Sequence, residues 1–77
     1  MAELLEFLAR KLVDKPDEVR VERVEEEDTI VLRLHVAEDD LGKVIGRQGR
    51  TARAMRTLLE TREDRRGVRY ELEILED

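Results

Sequence analysis

The feature that most constrains the fold is a change in the spacing of apolar residues along the second half of the chain. Apolar side chains recur at every second position in residues 30–36 and again in residues 68–74. This two-residue period is typical of strands that bury one face. Between the two runs, residues 41–45 and 50–59 carry apolar side chains at the spacing of one helix face. This half of the chain is therefore predicted to fold as strand, helix, helix, strand.

The first third of the chain predicts one helix and one strand. Leucines at helical spacing indicate a helix from about residue 2 to residue 13, which Pro16 prevents from continuing. Valines within residues 19–24 indicate a strand with an irregularity, because their alternation slips by one position, and residues 25–28 predict a solvated acidic turn. The resulting order is helix, strand, strand, helix, helix, strand. It predicts a single α+β domain over residues 1–77, with the helices packed on one face of the sheet.

The inventory of side chains argues against catalysis. The chain has no cysteine and no serine, and its single histidine, His35, lies in an alternating strand pattern. A hydrolytic triad or a thiolate metal site cannot be assembled from these residues, so we expect neither an enzyme nor a metal or other cofactor. His35 is expected to be an exposed or half-exposed strand residue. No apolar stretch approaches the roughly 20 residues that span a bilayer, so we expect a cytoplasmic location and no membrane contact.

Positive charge is concentrated in one short segment. The chain carries 15 basic and 20 acidic side chains, but residues 41–59 contain five basic residues and no acidic one. These five are Lys43, Arg47, Arg50, Arg53 and Arg56. Because a step of three residues rotates by about 300° on a helix, the last three arginines are predicted to form a stripe that winds across about 120° of its surface. A linear polyanion can follow such a stripe.

Gly46 and Gly49 bracket a turn between the two predicted helices. Glycine permits backbone angles and close approaches that other residues do not. The second helix begins at this turn, and the N–H groups of its first turn favour phosphate because they lack intrahelical partners. Two simpler interpretations remain open, a tight connection between helices and a solvated arginine face. A Walker phosphate loop is excluded by its different spacing, and Asp39 or Asp40 is expected to cap the first of the two helices.

The run Val44-Ile45-Gly46-Arg47-Gln48-Gly49 resembles the signature of K-homology (KH) domains, in which Ile-Gly-x-x-Gly joins two helices. The resemblance covers nearly the whole chain and is to the small bacterial proteins of the KhpA family. It implies the type II KH fold, whose helix-first, strand-last order matches the predicted one, with a three-stranded mixed sheet.

In KH domains the Gly-x-x-Gly loop clamps about four nucleotides of single-stranded RNA or DNA by their backbone. The resemblance implies an RNA-binding site formed by the loop, its basic flanks and an apolar wall. Its residues are Lys43, Val44, Ile45, Gly46, Arg47, Gln48, Gly49, Arg50 and Arg53. Leu41 is a further candidate for the wall, although some of its apolar residues must face the core.

Ala52 departs from the family pattern, which usually has a bulky aliphatic residue at this position. Either the helix packs closer to the sheet or Met55 fills the space. The chain also has only one Phe and one Tyr, so stacking of bases on aromatic rings cannot be a main source of affinity.

Two functions are carried forward. The first is a non-catalytic single-stranded RNA-binding protein, a global RNA-binding protein or RNA chaperone in post-transcriptional regulation. The alternative is a protein-interaction subunit that forms homodimers or pairs with a larger RNA-binding protein of the KhpB/Jag type. The preference for RNA over DNA stays open.

Overall fold

The computed structural model describes residues 1–76. Its main elements are α1 (Ala2–Leu12), β1 (Arg20–Glu25), β2 (Thr29–Val36), α2 (Leu41–Ile45), α3 (Arg50–Glu60) and β3 (Arg69–Glu76). Short 3₁₀ turns cover Pro16–Glu18, Glu38–Asp40 and Arg47–Gly49. The predicted α+β fold and its element order are confirmed.

The three strands form one mixed sheet in the order β1-β2-β3. β1 runs antiparallel to β2, from the pair Arg20–His35 to the pair Glu25–Ile30, whereas β3 runs parallel to β2. Parallel neighbours require a crossover, which α2 and α3 provide. This arrangement confirms the mixed sheet that the resemblance implied.

The helices pack on one face of the sheet. The even-numbered apolar residues of β2, from Ile30 to Val36, have no exposed surface. They share one core cluster with residues from all three helices. The helical members of the cluster are Leu5, Ala9, Val44, Met55 and Leu59. The apolar faces of the strands and of the helices therefore pack against each other in one thin core. No helix in residues 1–76 is long and apolar enough to cross a membrane.

The predicted irregularity in β1 is wrong. The pairing of β1 with β2 is continuous, and Val24 lies opposite Val31 without a bulge. Val21 pairs with Leu34 on the face toward the helices, and because side chains alternate along a strand, Val24 faces the other side. The alternation seemed to slip because Val21 and Val24 lie on opposite faces of the sheet. Val24 is paired with Val31, which is buried.

The prediction that Asp39 or Asp40 caps α2 is also wrong. Asp40 occupies the N-cap position of α2, but no side chain makes a capping hydrogen bond there. The carboxylate of Asp40 instead accepts hydrogen bonds from the backbone N–H groups of Asp14 and Lys15, at 3.2 Å and 3.0 Å. A 3₁₀ turn at Glu38–Asp40 leads directly into α2, so the acidic side chain is free to turn toward the end of α1.

Candidate nucleic-acid interface

The loop between α2 and α3 has an unusual backbone. Gly46 lies at φ 78°, ψ 170°, Gln48 at φ 57°, ψ 26°, and Gly49 at φ 74°, ψ 13°. Three positive φ angles in four residues give the chain a sharp reversal, closed by a hydrogen bond from Gly49 N–H to Gly46 O of 3.0 Å. Among residues 1–76, Gln48 is the only non-glycine residue with positive φ. Its side chain is thereby presented at the exposed tip of the loop.

Gly46 is required for a second reason, which is the proximity of α3. A Cβ atom at this position would overlap with Thr51 Oγ1 and would lie 2.7 Å from Thr51 Cβ and 2.9 Å from its backbone nitrogen. At Gly49 the nearest atom to a built Cβ is Arg53 Nη1, at 3.6 Å. Gly46 is therefore required for the close approach of the loop to α3. Gly49 is required only for its positive φ angle.

The start of α3 has no side-chain cap. Gly49 is its N-cap residue, and no side chain makes a capping hydrogen bond to the first turn. The N–H of Arg50 donates to the carbonyl oxygen of Arg47 within the loop. The N–H groups at a helix N-terminus carry partial positive charge and are suited to anions. Arg47 and Gln48 extend from the loop beside this end of the helix, and both side chains are exposed.

The arginines of the loop and of α3 are not paired with carboxylates. Arg47, Arg50, Arg53 and Arg56 are exposed, and none forms an ion pair with any carboxylate in residues 1–76. Gln48 Oε1 accepts a weak hydrogen bond of 3.4 Å from Arg50 Nη2. Elsewhere many basic side chains are paired, for example Arg10 with Glu6 at 2.7 Å and Arg66 with Asp64 at 3.1 Å. The predicted basic stripe is thus available to an external anion.

Lys43 differs from these arginines. Its ammonium lies 3.0 Å from Asp14 Oδ2 and 3.4 Å from Asp40 Oδ1. The hydrogen bond to Asp14, with a smaller contribution from Asp40, raises the pKa of Lys43 above its ordinary value. A phosphate contact by Lys43 would therefore have to compete with two existing ion pairs.

The apolar wall expected before the loop divides between core and surface. Val44 has no exposed surface and belongs to the core, and Leu41 packs against that core. Ile45 is half-buried and lies outside the core cluster. Of the three residues, Ile45 is therefore the one that takes no part in the core. On α3, Ala52 is buried, and Met55 fills the core one turn later.

Sequence reasoning missed the role of Asp40. Only 1% of this residue is exposed. Burial raises the pKa of its carboxyl, but hydrogen bonds from the N–H groups of Asp14 and Lys15 and from Lys43 outweigh that effect, so the pKa lies below its ordinary value. Asp40 thereby fastens the end of α1 to the start of α2. A run of three acids before an apolar helix was the available signal, but it indicated a cap.

The other polar features of residues 1–76 do not suggest a reactive centre. His35 is half-buried on the sheet face away from the helices, with its Nε2 3.4 Å from Glu22 Oε1. Within these residues, no group of three or more His, Asp or Glu side chains could hold a metal ion.

Comparison with known proteins identifies the family. The KhpA/KhpB KH-domain family matches residues 2–74. RNA-binding protein KhpA of Chlamydia pneumoniae is 47% identical over 77 residues, which cover 100% of this chain and 99% of that protein. RNA-binding protein KhpA of Aquifex aeolicus is 49% identical over 76 residues, 99% of this chain and 96% of that protein. The protein of the same name in Borreliella burgdorferi is 49% identical over 74 residues, 96% of this chain and 90% of that protein.

No solved structure matches the chain. The family match and the relatives, which align over nearly their full length, agree with the fold described above. The chain therefore belongs to the KhpA/KhpB family of KH-domain proteins.

Proposed function

We propose that this chain is a non-catalytic, single-stranded RNA-binding protein that acts as one KH domain and clamps the RNA backbone at its Gly-x-x-Gly loop. The observation that carries the proposal is the set of four exposed arginines, none paired with a carboxylate in residues 1–76, which begins at the loop and continues along α3. The names of the relatives, all RNA-binding protein KhpA, support it.

The residues of the proposed site have distinct roles. The backbone of Gly46 and Gly49 shapes the loop, and Arg47 and Gln48 contact phosphates beside the uncapped start of α3. Arg50 and Arg53 extend these contacts along the helix. Ile45 contacts a base, while Val44 supports the wall from inside the core. Lys43 holds α2 in place and adds positive charge next to the loop.

The charge distribution supports a confined and modest site. The acidic remainder of the chain repels polyanions, so RNA approaches only along the basic segment. A single module with a few phosphate contacts binds in a salt-sensitive way, which suits a global RNA-binding protein or RNA chaperone that acts on many transcripts. The cytoplasm, expected from the sequence, stays a prediction.

The salt dependence of binding tests the proposal. We expect the logarithm of the RNA association constant to fall with the logarithm of salt concentration by about 0.7 per neutralised phosphate. Arg50→Ala and Arg53→Ala should each lower this slope by about that amount, as measured by fluorescence anisotropy with a labelled oligonucleotide. Arg10→Ala, which removes a guanidinium already paired with Glu6, is the control and should leave the slope unchanged. Equal slopes in all variants would refute the assigned phosphate contacts.

A second function, as a protein-interaction subunit, is supported by an apolar surface on α1 and α3. Leu4, Phe7 and Leu12 are exposed, Phe7 by 56%. A groove of about 300 Å³ runs between the two helices, lined by Leu8, Leu12, Lys11, Thr51, Ala54, Met55 and Leu58. Exposed apolar surface of this kind marks interaction sites.

We propose a second copy of this chain as the occupant of the groove. Glu3 and Lys11 lie four residues before and after Phe7 and so on the same side of α1 as Phe7. Two copies of α1 packed antiparallel across a two-fold axis would bring Glu3 of one copy close to Lys11 of the other, in an isologous interface. A larger RNA-binding protein of the KhpB/Jag type, which the resemblance implies, is the other partner to test.

Sedimentation velocity tests the proposed dimer. We expect the apparent mass to rise with concentration from the 9.1 kDa of the monomer toward twice that value. Ala54→Lys places a charge in the groove and should keep the protein monomeric, whereas Thr57→Lys, at an exposed position of α3 outside the groove lining, should not. A wild-type protein that stays monomeric at every concentration would rule out this function for the groove.

A further inference from the structure

A second concave surface lies at the far end of α3 from the glycine loop. It is a cleft of about 540 Å³ between α3 and the start of β3, within the roughly 300–1,000 Å³ typical of small-molecule sites. Leu72, half-buried, and Tyr70, 7% exposed, contribute its apolar part. Arg56, the last arginine of the basic stripe, lines it. The cleft is thus continuous with the proposed RNA path.

The cleft contains charged groups of both signs that do not pair with one another. On α3, Arg56 supplies a guanidinium group and Glu60 a carboxylate. Because side chains alternate along a strand, those of Arg69 and Glu71 project from the face of β3 opposite to Tyr70 and Leu72. Neither Arg56 nor Glu60 forms an ion pair within residues 1–76. Arg56 and Glu60 are four residues apart on α3, so they project from the same side of the helix. Donors and acceptors therefore lie side by side above an apolar surface.

We propose that this cleft selects a guanine base of the bound RNA; the inference rests on the RNA-binding function proposed above. Guanine presents two adjacent donors, N1–H and the N2 amino group, which match the two oxygens of one carboxylate such as Glu60. It also presents two acceptors, O6 and N7, which match the fork of an arginine such as Arg56. Single-stranded bases are read along these edges.

The other bases fit the cleft less well. Adenine and cytosine offer one amino group to the carboxylate, and uracil offers one imide N–H, so none of them engages the carboxylate through two donors. A phosphate is disfavoured because Glu60 would repel it. Arg56 is the last arginine of the stripe, and Glu60 is the first acidic residue after it. At this end of α3 the protein therefore contacts a base of the RNA instead of its phosphate backbone.

The test measures base preference by fluorescence anisotropy with labelled hexanucleotides. One guanosine in a uridine hexamer should tighten binding roughly tenfold relative to the all-uridine strand, whereas adenosine, cytidine or inosine at the same position should give much less. Inosine lacks the N2 amino group and so isolates the contact with the carboxylate. Guanosine monophosphate alone should bind far more weakly than the hexamer; equal binding would overturn the assignment to an RNA strand.

Variants of the cleft separate recognition from electrostatics. Glu60→Gln should abolish the preference for guanosine yet leave binding of the all-uridine strand unchanged or tighter, because it removes a charge that repels phosphate. Glu26→Gln, the same change at an exposed position of the β1–β2 turn, should leave the preference intact. Arg56→Lys should reduce the preference while the salt slope stays constant.

The outcomes also separate this inference from the function on which it rests. Binding of every hexamer with equal affinity would overturn the guanine site and leave RNA binding standing. Failure to bind any hexamer would overturn both. A guanosine preference that persists in Glu60→Gln would overturn the role assigned to Glu60.

Discussion

Replacing Arg47 and Gln48 together with aspartate is expected to weaken RNA binding by about 100-fold or more and to leave the fold intact. The change adds three units of negative charge where the backbone clamp would receive a phosphate. Loss of counterion release and direct repulsion act in the same direction. Both side chains are exposed and make no contact with the core.

The folded state should tolerate this double variant. Gln48 lies in the left-handed region, which aspartate adopts more readily than most residues. The new carboxylates would lie beside the uncapped N-terminus of α3, where negative charge is favourable. We therefore expect an unchanged or slightly raised denaturation midpoint together with the loss of binding. That combination distinguishes a lost contact from a lost structure.

The measurement pairs anisotropy titration with thermal unfolding followed by circular dichroism. Arg10→Asp is the control, because it reverses a charge on α1 that already pairs with Glu6, and it should bind RNA nearly as well as the wild type. Retention of wild-type affinity by a folded Arg47→Asp, Gln48→Asp protein would disprove the proposed clamp. Gly46 is a poor target for this purpose, since any side chain there would collide with Thr51 and disturb the loop itself.

The strands and helices that pack on one face were predictable because each has a single apolar side. The alternation in residues 30–36 and 68–74 led to β2 and β3, and the helical spacing of Ala52, Met55 and Leu59 led to the buried side of α3. The basic stripe was predictable from helix geometry alone, because the positions of exposed arginines around a helix do not depend on tertiary contacts.

Features that depend on distant parts of the chain were not predictable in this way. Val24 made the strand pattern look irregular because it pairs with Val31 on the face of the sheet away from the helices. Lys43 was assigned to the RNA site as a basic flank of the loop, because its partners, Asp14 and Asp40, are brought to it only when α1 meets α2. The cleft beside β3 brings Arg56 and Glu60 of α3 next to Tyr70 and Leu72, and spacing along the sequence carries no information about that proximity.

Asp40→Ala is expected to cause the largest loss of stability of any single substitution considered, lowering the denaturation midpoint by about 10 °C or more. The substitution leaves the N–H groups of Asp14 and Lys15 without their acceptor and removes one of the two carboxylates that hold Lys43. Because these groups join the end of α1 to the start of α2, the loss affects the packing of both helices. Scanning fluorimetry or calorimetry would measure it.

Asp39→Ala is the matched control. Asp39 is the preceding residue, its side chain is 77% exposed, and its ion pair with Lys15 spans 3.2 Å at the surface. Pairs of this kind contribute little to stability, so the midpoint should hardly move. Similar effects of the two substitutions would contradict the structural role assigned to Asp40.

The pH dependence of stability carries a second signature of Asp40. Its folded pKa lies below the ordinary value of 3.8, as does that of Asp64, which is lowered chiefly by the backbone N–H of Val68. A carboxyl with a depressed folded pKa contributes stability that is present above its unfolded pKa and is lost as the pH falls through the folded value. The wild-type midpoint should therefore drop as the pH falls below about 4.

Asp40→Asn keeps the size of the side chain but cannot titrate, so its midpoint should be lower at neutral pH and less dependent on pH in the acidic range. The dependence that remains should come largely from Asp64, whose carboxylate accepts hydrogen bonds from Arg66 and Val68. An Asp40→Asn profile parallel to that of the wild type below pH 4 would show that the buried carboxylate is not the group that acid protonates. In the expected case the two curves converge at low pH, because protonation removes from the wild type the same charge that the substitution removes.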